Sequence, residues 1–129
     1  MKLLDGALGI HEQALQVRTR RLEVLAQNIA NADTPHFKAR DIDFRSVLAE
    51  AGAQPTSMSA TRARHFADGE LSDTDGLRYR IPFNSALDGN TVEMSVEQAN
   101  YGKAASEYQA TLSFLESRIA GIRKSLRGE

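Results

Sequence analysis

Both ends of this chain repeat an apolar residue at alternating spacings of four and three, and that rhythm limits what the chain can fold into. Near the N-terminus the row is Leu4, Leu8, His11, Leu15, Arg18, Leu22, Leu25 and Ile29. Near the C-terminus it is Tyr101, Ala105, Tyr108, Leu112, Leu115, Ile119, Ile122 and Leu126. A mean repeat of about 3.5 residues is the seam of a coiled coil, so each end reads as a helix that needs a partner along its length. His11 and Arg18 are the polar interruptions of the first seam, where such residues set register. A second, smaller stripe runs beside it: Leu3, Ala7, Ile10, Ala14, Val17 and Val24. Two stripes let one helix contact a partner on each side, or form one broad face buried in a monomeric bundle.

The spacing predicts helices of about 27 and 32 residues, roughly 40 and 48 Å long. Their seams match in period and length, so they are expected to pair, parallel or antiparallel. Ser95 with Gln98 reads as a capping box that starts the second helix near Val96. Arg118, Arg123, Lys124 and Arg127 lie toward its end, where cations suit the helix dipole; this placement argues against a nucleic-acid patch. About a dozen buried Leu and Ile side chains at ~1.5–3 kcal/mol each must offset an ordering cost of ~1–2 kcal/mol per residue. Two helices alone fall short. Neighbouring subunits are expected to supply the missing burial, and an isolated monomer is expected to fray at both ends.

Between the helices the periodicity fades. Asn28, Asn31, Asp33, Thr34 and Pro35 stop the first helix. Pro35 lacks the N–H a helix would need, Thr34 before it is biased to extended backbone, and short polar side chains bond nearby backbone. Phe37 and Ala39, then Ile42 and Phe44, alternate with polar residues but switch parity, as in a short strand or hairpin arm with a bulge. Phe44, Val47, Leu48 and Ala51 have the spacing of two helical turns. Residues 51–60 read as a linker, Leu77 to Ile81 as a strand, and Asp88-Gly89-Asn90 as a turn.

Composition excludes several functions. The 16 Lys+Arg and 17 Asp+Glu nearly cancel, so no strong field draws nucleic acid or an anionic membrane. Cysteine is absent, which removes disulfides and thiolate metal sites. No run of about 18 apolar residues exists, so no membrane-spanning segment is expected. Asp5, His11 and Glu12 interrupt the N-terminal apolar stretch, so a cleaved secretory signal is not expected. His11, His36 and His65 lack a metal-ligand spacing, with or without Asp41 and Asp43. No serine sits in a nucleophile elbow, and no glycines form a phosphate cradle. Asp41 and Asp43, flanked by Arg40 and Arg45, read as a solvated or interfacial charge set, and Arg18, Arg20 and Arg21 as a solvated face or an inter-subunit salt bridge. No catalytic residue, cofactor or metal is expected.

The literal string Asn28-Ile29-Ala30-Asn31-Ala32-Asp33-Thr34-Pro35, followed by Phe37-Lys38-Ala39-Arg40-Asp41, resembles the N-terminal signature of bacterial flagellar rod and hook proteins. Gly89 to Met94 and Tyr108 to Leu112 resemble the C-terminal part of the same family, and residues 51–88 match weakly. One departure is His36, where such proteins often have Gly; it argues against a glycine-only backbone conformation there. The resemblance implies a structural subunit of the flagellar axle, polymerising into a hollow rod that carries torque through the periplasm. It also implies export through the flagellar type III apparatus without cleavage. The implied partners are further copies of the chain, the rod proteins FlgC and FlgF, and the basal adaptor FliE at the export gate. Phe44-x-x-x-Leu48 resembles the short motif by which such subunits dock at that gate.

The expected fold is mainly α: two long terminal helices packed as a coiled-coil-like pair, with a small β-containing middle. The expected organisation is an N-terminal helix over 1–33, an extended arm and short helix over 34–50, a loop-rich middle over 51–90 and a C-terminal helix over 91–129. Leu15, Leu22, Leu25 and Ile29 are expected to pack against Tyr108, Leu112, Leu115, Ile119 and Ile122. Phe37, Arg40, Asp41, Asp43 and Phe44 are expected to reach an adjacent subunit. The rival readings are a soluble coiled-coil adaptor or export chaperone binding a single partner, and a hydrolase subunit using Asp41, Asp43 and a histidine.

Overall fold

In the computed structural model of the chain, residues 2–53, 76–84 and 86–128 are described. The first helix, α1, spans Lys2–Ala30, and the last, α3, spans Met94–Arg127. Between them lie strand β1 (Arg40–Ile42), helix α2 (Phe44–Ala53) and strand β2 (Leu77–Tyr79). The fold is mainly helical, with the two long terminal helices packed together and a small two-stranded middle.

The helices run antiparallel. Asn28 meets Glu97, Arg18 meets Glu107, and the His11 ring meets Phe114 in a tilted contact at 4.8 Å, so each step along α1 is matched by a step backward along α3. This register corrects one expectation. Within the chain Leu25 and Ile29 lie beside the start of α3, whereas Leu115, Ile119 and Ile122 lie beside the first turns of α1. These two sets do not meet in one copy.

A second correction concerns which stripe is buried. The buried apolar positions on α1 are Ala14, Val17, Val24 and Leu25, three of them from the smaller stripe. Leu8, Leu15, Leu22 and Ile29 are only half-buried. Val17 and Val24 pack with Ile42, Phe44, Val47 and Leu77, so α2 and the strand pair cover one side of α1. On α3 the close approach is made by Glu97 and Ala104, one heptad apart, while Tyr101 and Ile119 stay 39% and 38% exposed. On α1 the larger row splits: His11, Arg18 and Leu25 face α3 or are buried, while Leu8, Leu15, Leu22 and Ile29 are turned about a quarter of a circle from that line, as is the apolar row of α3. In an antiparallel pair those two offsets fall on the same side. The result is a partly open apolar face of Leu8, Leu15 and Leu22 with Tyr108, Leu112 and Leu115, opposite the hairpin layer.

β1 and β2 pair antiparallel, with Arg40 opposite Tyr79 and Ile42 opposite Leu77. Asp43 follows β1 and caps α2: its carboxylate accepts the Ser46 N–H and its carbonyl the Val47 N–H. Gly76 takes φ +74°, and a Cβ there would meet Val47 at 2.2 Å, so glycine is required where β2 is entered.

The start of α3 differs from the capping-box expectation. The N-cap is Glu93, two residues before Ser95, and its side chain makes no cap bond. The Glu93 carboxylate instead accepts the Phe83 N–H at 2.7 Å, which ties the segment after β2 to the start of the helix. The C-terminus ends on Gly128 in the left-handed conformation, its N–H directed to the Lys124 and Ser125 carbonyls.

Candidate functional site

Two polar assemblies hold the middle of the chain against the helix pair. The first is the turn after α1. The last carbonyls of a helix have no partner within it. Turn N–H groups take up those of Gln27, Asn28 and Ile29, and the Asn90 amide nitrogen approaches three carbonyls of the turn itself, those of Asn31 (3.0 Å), Ala32 (2.9 Å) and Thr34 (2.8 Å). Its own oxygen accepts the Val92 N–H at 2.7 Å. The following residues zip onto the turn before α3. His36 N–H donates to Asp88, Thr91 N–H to Phe37, and Ala39 N–H to the Thr91 hydroxyl. Thr34 donates to the Asn31 side chain, and Asp33 and Pro35 are exposed. The exit of α1 is therefore fixed by residue 90, far away in sequence.

His36 takes φ +63°. The expectation that a histidine here argues against the glycine-favoured conformation is overturned: the left-handed backbone is present, bridged by the His36–Asp88 hydrogen bond, and the side chain tolerates it at a cost.

The second assembly is a chain of charges. Glu107 on α3 bonds Arg18 at 2.7 Å and lies 3.5 Å from Arg21. Arg21 reaches Asp41 on β1 with two nitrogens, at 3.0 and 3.3 Å. Asp41 also takes Arg80, just past β2, at 2.9 Å, and Arg80 pairs with Glu97 on α3. Asn28 closes the loop by donating to Glu97 at 3.1 Å. Burial alone would push the Asp41 carboxyl up; the Arg21 hydrogen bond, the Ile42 N–H and the Arg21 and Arg80 cations outweigh it and hold the group below its ordinary value. The Asp41 hydrogen bond likewise holds the Arg21 guanidinium above its usual value. Glu97 is fully buried, a position such a charge occupies only when paired.

Arg18 and Arg21 are thus not a solvated face; only Arg20, paired with Glu23 on its own helix, fits that description. Asp41 and Asp43 separate, with Asp43 facing Arg78 at 3.4 Å. The backbone from 36 to 43 bonds within its own chain, through residues 76, 80, 88 and 91. Phe44 lies under the Arg18 guanidinium at 4.2 Å, and Leu48 is half-buried one turn on. The sequence reading missed Arg80, Glu97, Glu107 and Asn90. Among the described residues no group of acidic residues and histidines is placed to hold a metal, and no helix is long and apolar enough to cross a membrane.

This braced helix pair with a half-covered apolar face resembles known proteins along almost its whole length. Residues 8–38 match the family model described as flagella basal body rod protein. The chain is 48% identical to the flagellar basal body rod protein FlgB of Cereibacter sphaeroides over 122 residues, covering 95% of this chain and 94% of that one. It is 48% identical to FlgB of Aeromonas hydrophila, covering 97% and 96% of the two chains. With FlgB of Escherichia coli the identity is 44%, over 96% and 95%. The chain belongs to the FlgB family of flagellar basal body rod proteins, a family of structural subunits.

Proposed function

We propose that this protein is a subunit of the proximal rod of the bacterial flagellum, assembling by helix packing into the hollow axle that transmits motor torque. The observation that carries this reading is the half-covered face of Leu8, Leu15 and Leu22 with Tyr108, Leu112 and Leu115, on a chain of this family. The half of the seam turned away from its own partner helix has apolar area left for a neighbour, and each Leu or Ile newly buried contributes ~1.5–3 kcal/mol. Half-buried Ile29 of one copy then meets Leu115, Ile119 and Ile122 of another, a pairing the register forbids within one chain, while Leu25 is already buried inside its own copy. A heterologous contact that does not close into a ring generates a helical filament.

On this reading the chain works in the basal body, in the part of the rod that crosses the periplasm, after export without a cleaved signal. Its neighbours are other copies, FlgC, FlgF and FliE. The half-buried Phe37 and Arg40 side chains remain to touch an adjacent subunit. The Phe44–Leu48 motif is read at the export gate before folding packs Phe44 against α1. Normal export of Phe44→Ala subunits would remove that last element.

The test is Leu115→Asp in a strain lacking the native copy. Expected are a stable, helical protein and non-motile cells whose basal bodies lack the rod. Motile cells would refute the packing scheme.

A further inference from the structure

We infer that Arg80 and Glu97 are positioning residues: their buried ion pair sets where the layer of β1, β2 and α2 stands on the helix pair, while apolar contacts supply the attachment. The placement is a property of the fold; its consequence for assembly rests on the rod reading.

The apolar contacts leave the placement open. Val17 and Val24 of α1 meet Ile42, Phe44, Val47 and Leu77, so the layer packs along one helix. Aliphatic surfaces of about the right size hold elements together without selecting one arrangement among close alternatives. Direction comes from polar links to the other helix. Asp41 of β1 is tied to α3 twice, through Arg80 to Glu97 and through Arg21 to Glu107. Glu97 and Glu107 lie roughly 15 Å apart along α3 at 1.5 Å per residue, so the ties form a triangle with Asp41 at its apex. One tie would fix a distance; two fix a position. Elsewhere the Phe83–Glu93 bond and the Asn90 turn hold only the stretch that leads into α3, leaving rotation of the strands about that end to the ion pairs.

Arg80 is suited to this role. Its guanidinium is a planar fork, bonding Asp41 at 2.9 Å and pairing with Glu97. Its side chain is 16% exposed and that of Glu97 0%, so water does not share the geometry. Successive residues of an extended chain point to opposite faces. Arg80 turned inward therefore aims its neighbours Tyr79 and Ile81 outward, where they are 72% and 89% exposed. A buried pair adds little net stability, because desolvation offsets the attraction. Removing one partner strands a charge and is costly, whereas apolar replacement of both is close to neutral. Placement and stability are thus separable. A filament of identical subunits repeats the same contacts at every step, so each copy must present the same surfaces.

The chain has no cysteine, so Ile81→Cys and Ser106→Cys in one protein, both at exposed positions, carry spin labels on the segment after β2 and on α3. Pulsed electron resonance on the full chain is expected to give one narrow distance in the parent. With Arg80→Met and Glu97→Leu together, the denaturation midpoint is expected to stay at or above the parent value while the distance broadens or divides. Arg80→Met alone is expected to lower the midpoint, because Glu97 is left buried without its cation. Arg80→Lys keeps the charge without the fork, asks for no new packing, and is expected to broaden the distance with the fold intact. An unchanged distance in Arg80→Lys and in the double variant overturns the proposal. So does a double variant as unstable as Arg80→Met alone, which would make the pair a source of stability. In a strain lacking the native copy, the double variant is expected to be produced and to leave cells non-motile; full motility overturns the part played by placement in assembly. Absence of the unmutated chain from basal bodies would sink the rod reading and leave the distance measurement standing.

Discussion

The Asn28 side chain holds Arg40 by both of its backbone groups, accepting the N–H at 3.1 Å and donating to the carbonyl at 2.6 Å. It serves as a strand edge made from one side chain on a helix. The same amide donates to the buried carboxylate of Glu97, so α1, β1 and α3 meet at one residue that is 1% exposed. Asn28→Asp keeps the acceptor, loses the donor and sets a second carboxylate against Glu97. Unsatisfied buried groups and uncompensated charge together cost about 3 kcal/mol or more. The expected outcome is a large fall in the denaturation midpoint, read by circular dichroism. Asn28→Ala, without the added charge, is expected to lose less; equal losses would show that repulsion from Glu97 contributes little.

Asn90 holds the turn that follows Ala30, bonding the Asn31, Ala32 and Thr34 carbonyls from far along the chain. Its replacement by alanine strips a partner from three carbonyls of the turn that follows the first helix. A lost hydrogen bond costs ~1 kcal/mol, and carbonyls left without water add to it. We expect Asn90→Ala to lower stability by about 1–3 kcal/mol and to speed amide exchange at His36 and Thr91, whose bonds cross the same junction. Unchanged exchange at those two amides would show that the turn holds without Asn90.

What the sequence makes legible here follows from periodicity and local rules. The terminal helices, the helix from Phe44 and the strand from Leu77 each announce themselves within a short window, and Thr34-Pro35 marks an end to the first helix that falls earlier, at Ala30. The choice of buried stripe does not, because Leu8-Leu15-Leu22 looks stronger than Ala14-Val17-Val24 until the hairpin layer takes the smaller row. Glu97 and Arg80 were invisible for a related reason: each is an ordinary charge until tertiary contact buries it. One local signal existed. Glu97 and Ala104 share a heptad row, and a small residue in that row marks where two helices approach closely. The left-handed backbone at His36 is set by the junction with Asp88, against the local preference of the residue.

The ion chain makes stability depend on pH. The Asp41 carboxyl is held below its ordinary value by Arg21 and Arg80, so its folded form binds protons more weakly than its unfolded form. Such a group contributes its full share above the unfolded value of about 4, and that share is lost as pH falls through the lower folded value. Asp41→Asn is therefore expected to be less stable than the parent at pH 7, and the gap is expected to narrow steadily below about pH 4. Denaturant midpoints for both proteins across the acid range provide the check. A gap independent of pH would mean that Asp41 acts by shape rather than by charge.

Gly89 and His36 constrain each other across the junction. Gly89 has φ +76°, and a Cβ there would lie 2.9 Å from the His36 Nδ1. Gly89→Ala therefore carries two separable costs, the left-handed backbone at ~1–2 kcal/mol and the displacement of the imidazole. Only the second vanishes when the ring is removed. His36→Gly alone gains from relief of its own left-handed backbone and loses through a more flexible unfolded chain, so its net effect is expected within about 1 kcal/mol of zero. In the double variant the alanine is expected to cost less than in the parent, a favourable coupling of about 0.5–1 kcal/mol in a double-mutant cycle. The ring is exposed and can swing aside, which keeps the coupling at the lower end of what contacting residues show. A coupling of zero would mean that the ring has already moved out of the way, leaving the left-handed backbone as the sole reason for glycine at position 89.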